Sequence, residues 1–303
     1  MVHKAGQSII VSLMRLIHIT DPHLSTLDGL GFLGVRGKRR SGYLSWYKNR
    51  RFAHRREILD QLTESVARHD PDRILLTGDL VHIGLEREMK EAAAWLRTLG
   101  SPGKVILVPG NHDNYATDSL ESMYRHWGDF LPQRNGDAHD YTAGFPFEHR
   151  AGSLKITGVN TSCVTRIFSA AGELGRSQRD RLLASFETGQ EDLFHCLLIH
   201  HPPLPGIIYR RKALRDAGEL GDIIRRTKPH LVLYGHIHCN REDHLTDTRI
   251  YCTASASDAE NASYRIFDIE QADPGWHCRM RLVALQDRQF KTVAEESWQA
   301  AVS

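Results

Sequence analysis

The sequence predicts an α/β fold, and three observations indicate it. Short runs rich in Ile, Val and Leu recur along the chain, each bounded by Gly, Pro, Asp or Asn, which is typical of buried strands. Helical patterns lie between these runs, and this alternation indicates helices packed on a sheet. The last third contains successive strand patterns without long helices between them. We therefore predict one α/β domain with mixed sheets over residues 1–303.

The individual elements follow in chain order. Apolar runs predict the first strands at Arg15–Thr20, Arg73–Thr77, Lys104–Pro109, Leu154–Asn160, Phe194–His200 and His230–Tyr234. Helical patterns separate them at Ala53–Arg68, Glu86–Leu99, Ser177–Phe186 and Ala213–Arg226. Gly100 and Pro102 end the second helix, and Lys228-Pro229 ends the fourth. The later strands are predicted at Arg249–Thr253, Ser263–Ile269 and Cys278–Leu285, with a turn at Asp273-Pro274-Gly275 before the last.

The two ends of the chain are less well defined. Met14 directly precedes the first strand, so residues 1–13 are predicted to be a disordered lead or the product of an upstream start. Both Met1 and Met14 remain candidate translation starts. Residues 290–303 fit a docked helix and a loose tail equally well.

Composition excludes several classes of protein. The 303 residues are 41% hydrophobic and 25% charged, which is typical of a globular domain. Five cysteines without a CxxC spacing argue against a disulfide framework and a thiolate zinc site, and favour a reducing compartment. No run reaches the roughly 18 apolar residues of a membrane span, and no signal peptide is evident. We therefore predict a cytoplasmic protein. The net charge of only +2 does not indicate a polycation that seeks nucleic acid.

Polar clusters rich in Asp, His and Asn follow five of the predicted strands. Ligands of open α/β sheets bind at the carboxyl ends of strands, so these clusters are predicted to meet at one edge. The clusters are Asp21-Pro22-His23, Gly78-Asp79, Gly110-Asn111-His112-Asp113, His200-His201-Pro202-Pro203 and Gly235-His236-Ile237-His238.

These residue types suit a metal site. Asp-x-His and His-x-His spacings place two side chains on the same side of an extended chain. Nitrogen and oxygen ligands without thiolate favour Mn, Fe or Zn over Mg. A lone His-x-His is more often a surface feature or a satisfied core feature, and Asp after Gly is usually a turn. Five such clusters, each at a strand end, favour the metal interpretation.

The ordered set of clusters resembles the signature of the calcineurin-like metallophosphoesterases, over residues 18 to 238. The resemblance implies a four-layer αββα sandwich of two mixed β-sheets flanked by helices, with two di- or trivalent metal ions at the strand edge. By resemblance, Asp21, His23 and His238 hold the first metal, Asn111, His200 and His236 hold the second, and Asp79 bridges both. His201 is adjacent to His200, and an exchange of their roles stays open.

The resemblance also implies a mechanism. A hydroxide bridging the metals attacks phosphorus, and His112 protonates the leaving alkoxide as a general acid, with Asp113 orienting its ring. His18, His54 and His82 receive no role and are expected to face solvent or to bond the backbone.

The segment 29–56, called the inserted segment below, bears on the substrate. It contains nine Lys or Arg, no Asp or Glu, and interleaved aromatic residues, whereas the rest of the chain carries 30 basic against 37 acidic residues. Such a segment suits an anionic membrane surface, a nucleobase or no ligand at all. A second basic cluster, Arg210, Arg211 and Lys212, is a candidate substrate-binding site.

Three functions are therefore considered. The first is a phosphodiesterase on small diesters such as cyclic nucleotides, resembling the bacterial class III cyclic-nucleotide phosphodiesterases. The second is a pyrophosphatase resembling UDP-2,3-diacylglucosamine hydrolase, in peripheral contact with the inner membrane surface through Leu44 and Trp46. The third is a non-catalytic scaffold, which is disfavoured because every expected ligand and His112 are present. Nucleic acid is a disfavoured partner, while the native metal pair and a homo-oligomer are left open.

Overall fold

The computed structural model describes residues 13–24, 26–134, 140–187 and 192–301. The predicted lead at residues 1–13 lies almost wholly outside the described residues. In the part of the chain that is described, no helix is both long and apolar enough to cross a membrane.

Two mixed β-sheets form the centre of the domain. The first has the strand order β12-β11-β10-β1-β2-β3, and the second has the order β4-β5-β6-β7-β9-β8. The strands are β1 (Met14–Ile19), β2 (Arg73–Leu76), β3 (Val105–Leu107), β4 (Phe147–Ala151), β5 (Leu154–Gly158), β6 (Phe194–Leu198), β7 (Leu231–Tyr234), β8 (Arg241–Leu245), β9 (Thr248–Cys252), β10 (Ser263–Gln271), β11 (Trp276–Gln286) and β12 (Gln289–Ala300).

The helices flank these sheets. They are α1 (Lys38–Ser45), α2 (Arg51–Ala53), α3 (Arg56–Ala67), α4 (Glu86–Leu99), α5 (Ser119–Trp127), α6 (Arg176–Glu187) and α7 (Ala217–Thr227). A π-helical turn, Trp46–Arg50, joins α1 to α2, so most of the inserted segment is helical. The predicted fold class, two mixed sheets with flanking helices, is confirmed.

Burial on both faces explains why the central strands are continuous apolar runs. In β6, Cys196 and Leu198 pack into the core between the sheets, while Leu197 packs toward Leu182 of α6 and Leu220 of α7. Neighbouring side chains of a strand point to opposite faces, and both faces of β6 are buried, so its residues are apolar except for His195. The strands β1, β2 and β3 are parallel, as are β5, β6, β7 and β9, which brings their carboxyl ends to common edges.

The sequence patterns missed the edges of the fold. The strands β4 and β8 and the helices α1 and α5 were not predicted. Both alternatives for residues 290–303 were wrong for most of that segment, because Gln289–Ala300 pairs with β11 as the edge strand β12. Its largely exposed, polar side chains give no apolar run, and backbone pairing defines it instead.

Candidate metal centre and cavity

The five polar clusters meet at the carboxyl ends of β1, β2, β3, β6 and β7. One group of potential metal-binding atoms comprises Asp21, His23, Asp79 and His238, which lie within 4.8 Å of one another. A second group of the same compactness comprises His200, His201 and His236. The strand-end positions that the sequence singled out therefore converge on one place.

The first group surrounds a carboxylate oxygen of Asp21. His238 Nε2 lies 3.2 Å from Asp21 Oδ1 and 3.4 Å from His23 Nε2. The other ring nitrogen of His23, Nδ1, lies 2.9 Å from the carbonyl oxygen of Val81 and donates to it. This bond fixes the tautomer and leaves the lone pair of Nε2 directed into the group.

The second group surrounds Nε2 of His200. This atom lies 3.2 Å from Asn111 Oδ1, 3.3 Å from His236 Nδ1 and 3.4 Å from Asp79 Oδ2. The same Asp79 Oδ2 lies 3.9 Å from His23 Nε2, so it faces both groups. The other carboxylate oxygen, Oδ1, accepts a hydrogen bond from the backbone N–H of His112 at 2.7 Å. Asp79 is thus placed between the two groups.

His201 has a different environment from His200. Its Nδ1 lies 2.7 Å from the hydroxyl of Thr161, and its Nε2 lies 3.2 Å from the carbonyl oxygen of Ala170. Both ring nitrogens therefore have protein partners, whereas His200 directs Nε2 at Asp79 and Asn111. This arrangement favours His200 over His201 as the ligand.

The backbone at this edge is strained where the side chains are presented. Left-handed φ angles are uncommon outside glycine, and such strain concentrates at functional sites. They occur here at Asp21 (50°), His23 (38°), Asp79 (56°), His236 (71°) and His238 (53°). Close approach adds a further requirement, because a Cβ atom at Gly235 would overlap the side chains of Thr20 and Asp21.

The electrostatics of the two groups fit cations. Burial and the neighbouring histidines lower the pKa of His23 and His236, so both rings are neutral and retain lone pairs. Burial alone would lower the pKa of His200, but Asp79 and other partners raise it to about 9, so the cavity favours a positive charge there. The buried Asp21 Oδ1 has His238 Nε2 3.2 Å away, but it accepts no hydrogen bond of regular geometry from the described residues. A buried carboxylate oxygen left in this way is stabilised by a cation. The nitrogen and oxygen donor set therefore fits metal ions.

His112 and Asp113 lie beside the metal-binding groups, but they do not form the predicted pair. Nδ1 of His112 donates to the carbonyl oxygen of His82, so that carbonyl orients the ring. The carboxylate of Asp113 instead accepts hydrogen bonds from the backbone N–H groups of Asp79, Leu80, Val81 and Gly110. The orienting role expected for Asp113 is wrong, because its side chain is used to join the loops after β2 and β3. Burial, followed by the charge of Arg50, lowers the pKa of His112.

The histidines that received no role are not solvent-facing. His18 is fully buried between the hydroxyls of Thr77 and Thr253, at 2.8 and 2.7 Å. The ring of His82 stacks on that of His23, with 5.1 Å between centroids. His54 lies 4.5 Å from the His23 ring and bonds Ser257 Oγ at 2.9 Å. His18 is therefore held in the core by two threonine hydroxyls. His54 and His82 pack against the ring of His23 in the first cluster.

The inserted segment forms one wall of a cavity beside the metal-binding groups. The cavity holds about 360 Å³. Lys38 and Arg50 of the inserted segment line it together with Asn111 and His112, and Arg211 and Lys212 line it from the loop after β6. Arg210, the third residue of that candidate cluster, is exposed. The sequence did not single out Lys38 and Arg50, because nothing in the pattern separates them from the other basic residues nearby.

A small apolar cluster anchors the inserted segment. Trp46 is only 2% exposed and packs with Leu27, Val35, Ile83 and Tyr115. The expected contact of Trp46 with lipid is therefore wrong, because its ring is used inside the protein. Leu44 is 41% exposed.

Comparisons with known proteins identify the family. The model of the family described as calcineurin-like phosphoesterase matches residues 14–240. A cAMP/cGMP dual specificity phosphodiesterase of Mycobacterium tuberculosis is 29% identical over 233 residues, 74% of this chain but only 61% of that protein's length. A 3',5'-cyclic adenosine monophosphate phosphodiesterase of Haemophilus influenzae is 23% identical, over 91% of this chain and 86% of its own.

The solved structures include a similar fold. A dimetal phosphatase from Danio rerio superposes with a TM-score of 0.60 at 13% identity, covering 94% of this chain and 98% of that one. Since the family model spans most of the chain and includes all five clusters, this protein belongs to the calcineurin-like phosphoesterase family.

Proposed function

We propose that this protein is a metal-dependent phosphodiesterase that acts on small diesters such as cyclic nucleotides, in the cytoplasm. One observation carries the proposal: two groups of imidazole and carboxylate side chains share Asp79 Oδ2, beside a cavity lined by cationic side chains. The two similar phosphodiesterases, both named for cyclic nucleotides, support the choice of substrate class.

The proposed centre holds two metal ions. Asp21, His23 and His238 would hold one, Asn111, His200 and His236 the other, and Asp79 both. The absence of thiolate from this set favours Mn or Fe, with Zn as the alternative. Such ions act as Lewis acids on the phosphoryl group and make water a nucleophile at neutral pH.

The side chains around the ions have their own tasks. His112 uses Nδ1 to bond the His82 carbonyl, so Nε2 is the nitrogen that gives a proton to the leaving alkoxide. The negative charge of a bound substrate raises the lowered pKa of this ring again, because an opposite charge favours the protonated form. The role of Asp113 is then to hold the two loops that carry Asp79 and His112.

The test is hydrolysis of bis(p-nitrophenyl) phosphate and p-nitrophenyl phosphate by wild type and Asp79→Ala, with added Mn²⁺ and after chelation. We expect metal-dependent activity with preference for the diester, and its loss in the variant. No turnover of either compound, with no bound metal by elemental analysis, would contradict the proposal and favour the scaffold.

A second candidate is a hydrolase that works at an anionic membrane surface. The exposed apolar side chains of the inserted segment favour it, since Leu44, Tyr47 and Phe52 are 41%, 48% and 57% exposed among basic residues. Co-sedimentation with anionic liposomes, reduced by Leu44→Ser with Phe52→Ser, would support it. Equal sedimentation of both proteins, with activity independent of lipid, would contradict it.

A further inference from the structure

Arg50 of the inserted segment is a largely buried cation without a carboxylate partner. Its Nη1 lies 3.1 Å from His112 Nδ1, which already donates to the carbonyl oxygen of His82. Because a guanidinium has only donors, these two nitrogens cannot bond to each other. Within the described ranges, no Asp or Glu lies within ion-pair distance of Arg50. Burial lowers the pKa of Arg50, which means that keeping its positive charge at this position costs free energy.

A second cation of the inserted segment shares these features. Lys38 lines the same cavity, and its Nζ lies 4.3 Å from the centre of the Tyr115 ring and 3.0 Å from Thr165 Oγ1. Tyr115 in turn stacks on His112, with 5.6 Å between the ring centres. Over the part of the chain that is described, Lys38 likewise has no ion pair with a carboxylate. Two cations therefore converge on one cavity that contains His112.

Buried charges without partners are costly, and an anionic ligand removes that cost. The planar fork of a guanidinium matches two oxygens of a phosphate, which makes arginine suited to this task. The neighbours of Arg50 in the cavity include Asn111 and His112, so an anion bound there would lie beside the metal-binding groups. The other arginines of the inserted segment do not share this position. Arg39 bonds Asp118, and Arg55 is exposed near Glu57.

We propose that the inserted segment provides a phosphate-binding subsite, in which Arg50 holds non-bridging oxygens of the scissile phosphoryl group and Lys38 adds a second positive charge. The ligands of this subsite are phosphate monoester and diester anions. This inference rests on the proposed function for the identity of the group that is bound, and it gives the inserted segment a role in substrate binding.

Binding of inorganic phosphate to the Mn²⁺-loaded protein, measured by calorimetry, tests the subsite without any turnover. We expect Arg50→Gln to raise the Kd about 10- to 100-fold, because charge-assisted hydrogen bonds are lost. Arg50→Lys should have an intermediate effect, since it keeps the charge but loses the fork. Arg55→Gln, which removes the same charge from an exposed position, is the matched control and should leave the Kd unchanged.

Bound metal, measured by elemental analysis, separates the subsite from the metal centre. An unchanged Kd for Arg50→Gln, or an equal rise for Arg55→Gln, would overturn the proposal. A rise that parallels a loss of bound metal would also overturn it, because Arg50 would then act through the ions.

Turnover of bis(p-nitrophenyl) phosphate distinguishes this failure from that of the proposed function. Full activity with no effect of Arg50→Gln on KM or Kd would remove the subsite alone. Phosphate binding through Arg50 without turnover of any ester would support the subsite and remove the phosphodiesterase.

Discussion

The strand-end clusters and the inserted segment lie against the same cavity, yet they are built in opposite ways. The clusters are largely buried, and several of their residues have left-handed backbone at the ends of strands within the two sheets. The inserted segment is a largely helical surface segment with many exposed side chains. Trp46 and its apolar neighbours attach it to the domain. Lys38 and Arg50 line the cavity, whereas the other basic residues of the inserted segment do not.

This difference suggests that the strand-end clusters carry out catalysis and that the inserted segment selects the substrate. Residues at strand ends are positioned within narrow limits, as ligands and proton donors require. Segments on the surface can change without disturbing the sheets, so they are suited to selecting a substrate. The comparison predicts that changes in the clusters abolish turnover, while changes in the inserted segment alter substrate binding.

The largest effect is expected at His112. Removing a positioned proton donor lowers rates by about 10²- to 10⁴-fold, so His112→Asn should lower kcat by that amount for a substrate with an alkoxide leaving group. The loss should be much smaller for bis(p-nitrophenyl) phosphate, whose leaving group needs little protonation. Steady-state kinetics on both substrates measures the difference. Equal losses on the two substrates would assign His112 to metal or substrate binding instead of proton transfer.

The sequence could predict the clusters because strand ends are local features. An apolar run followed by Asp, His or Asn indicates both where the strand ends and which polar side chain lies at that end. Asp21, Asp79 and His200 could therefore be located without a structure. The tertiary contacts could not be predicted in this way. The hydrogen bonds of Asp113 to the loop after β2, and the position of Arg50 beside His112, join residues that are far apart in the chain.

Trp46→Ala tests how the inserted segment is held. Loss of a buried tryptophan typically costs about 3–5 kcal/mol, and here we expect that loss to fall on the docking of the inserted segment. Trypsin should then cleave within residues 36–56 much faster, and KM should rise because Arg50 moves with the segment. Bound metal should stay unchanged. Tyr47→Ala, at an exposed neighbouring position, is the control, and equal cleavage of both variants would show that Trp46 is not the anchor.

Asp113→Asn tests the structural role found for this carboxylate. The amide replaces one acceptor oxygen with a donor that faces backbone N–H groups, so about 2–3 kcal/mol of stability should be lost. Chemical denaturation of the metal-free protein measures this loss. If Asp113 instead tuned His112 directly, the variant would shift the pH profile of kcat without a change in the free energy of unfolding.

The smallest effect is expected for the free energy of unfolding at acidic pH, and it concerns the buried His18. Burial, followed by the charge of Arg265, lowers the pKa of His18 to about 3. In the unfolded chain this histidine takes up a proton near pH 6.5, whereas the folded protein excludes that proton until the pH falls to about 3. Stability contributed by the neutral ring is therefore complete above pH 6.5 and is lost by about 1.4 kcal/mol per pH unit as the pH falls through this window.

Denaturation of the metal-free protein between pH 7 and 5 should show a shallower pH dependence for His18→Gln. His277→Gln, which removes a histidine from an exposed position, is the control variant. If the slopes of His18→Gln and wild type are equal, burial does not exclude the proton from His18 in the folded protein.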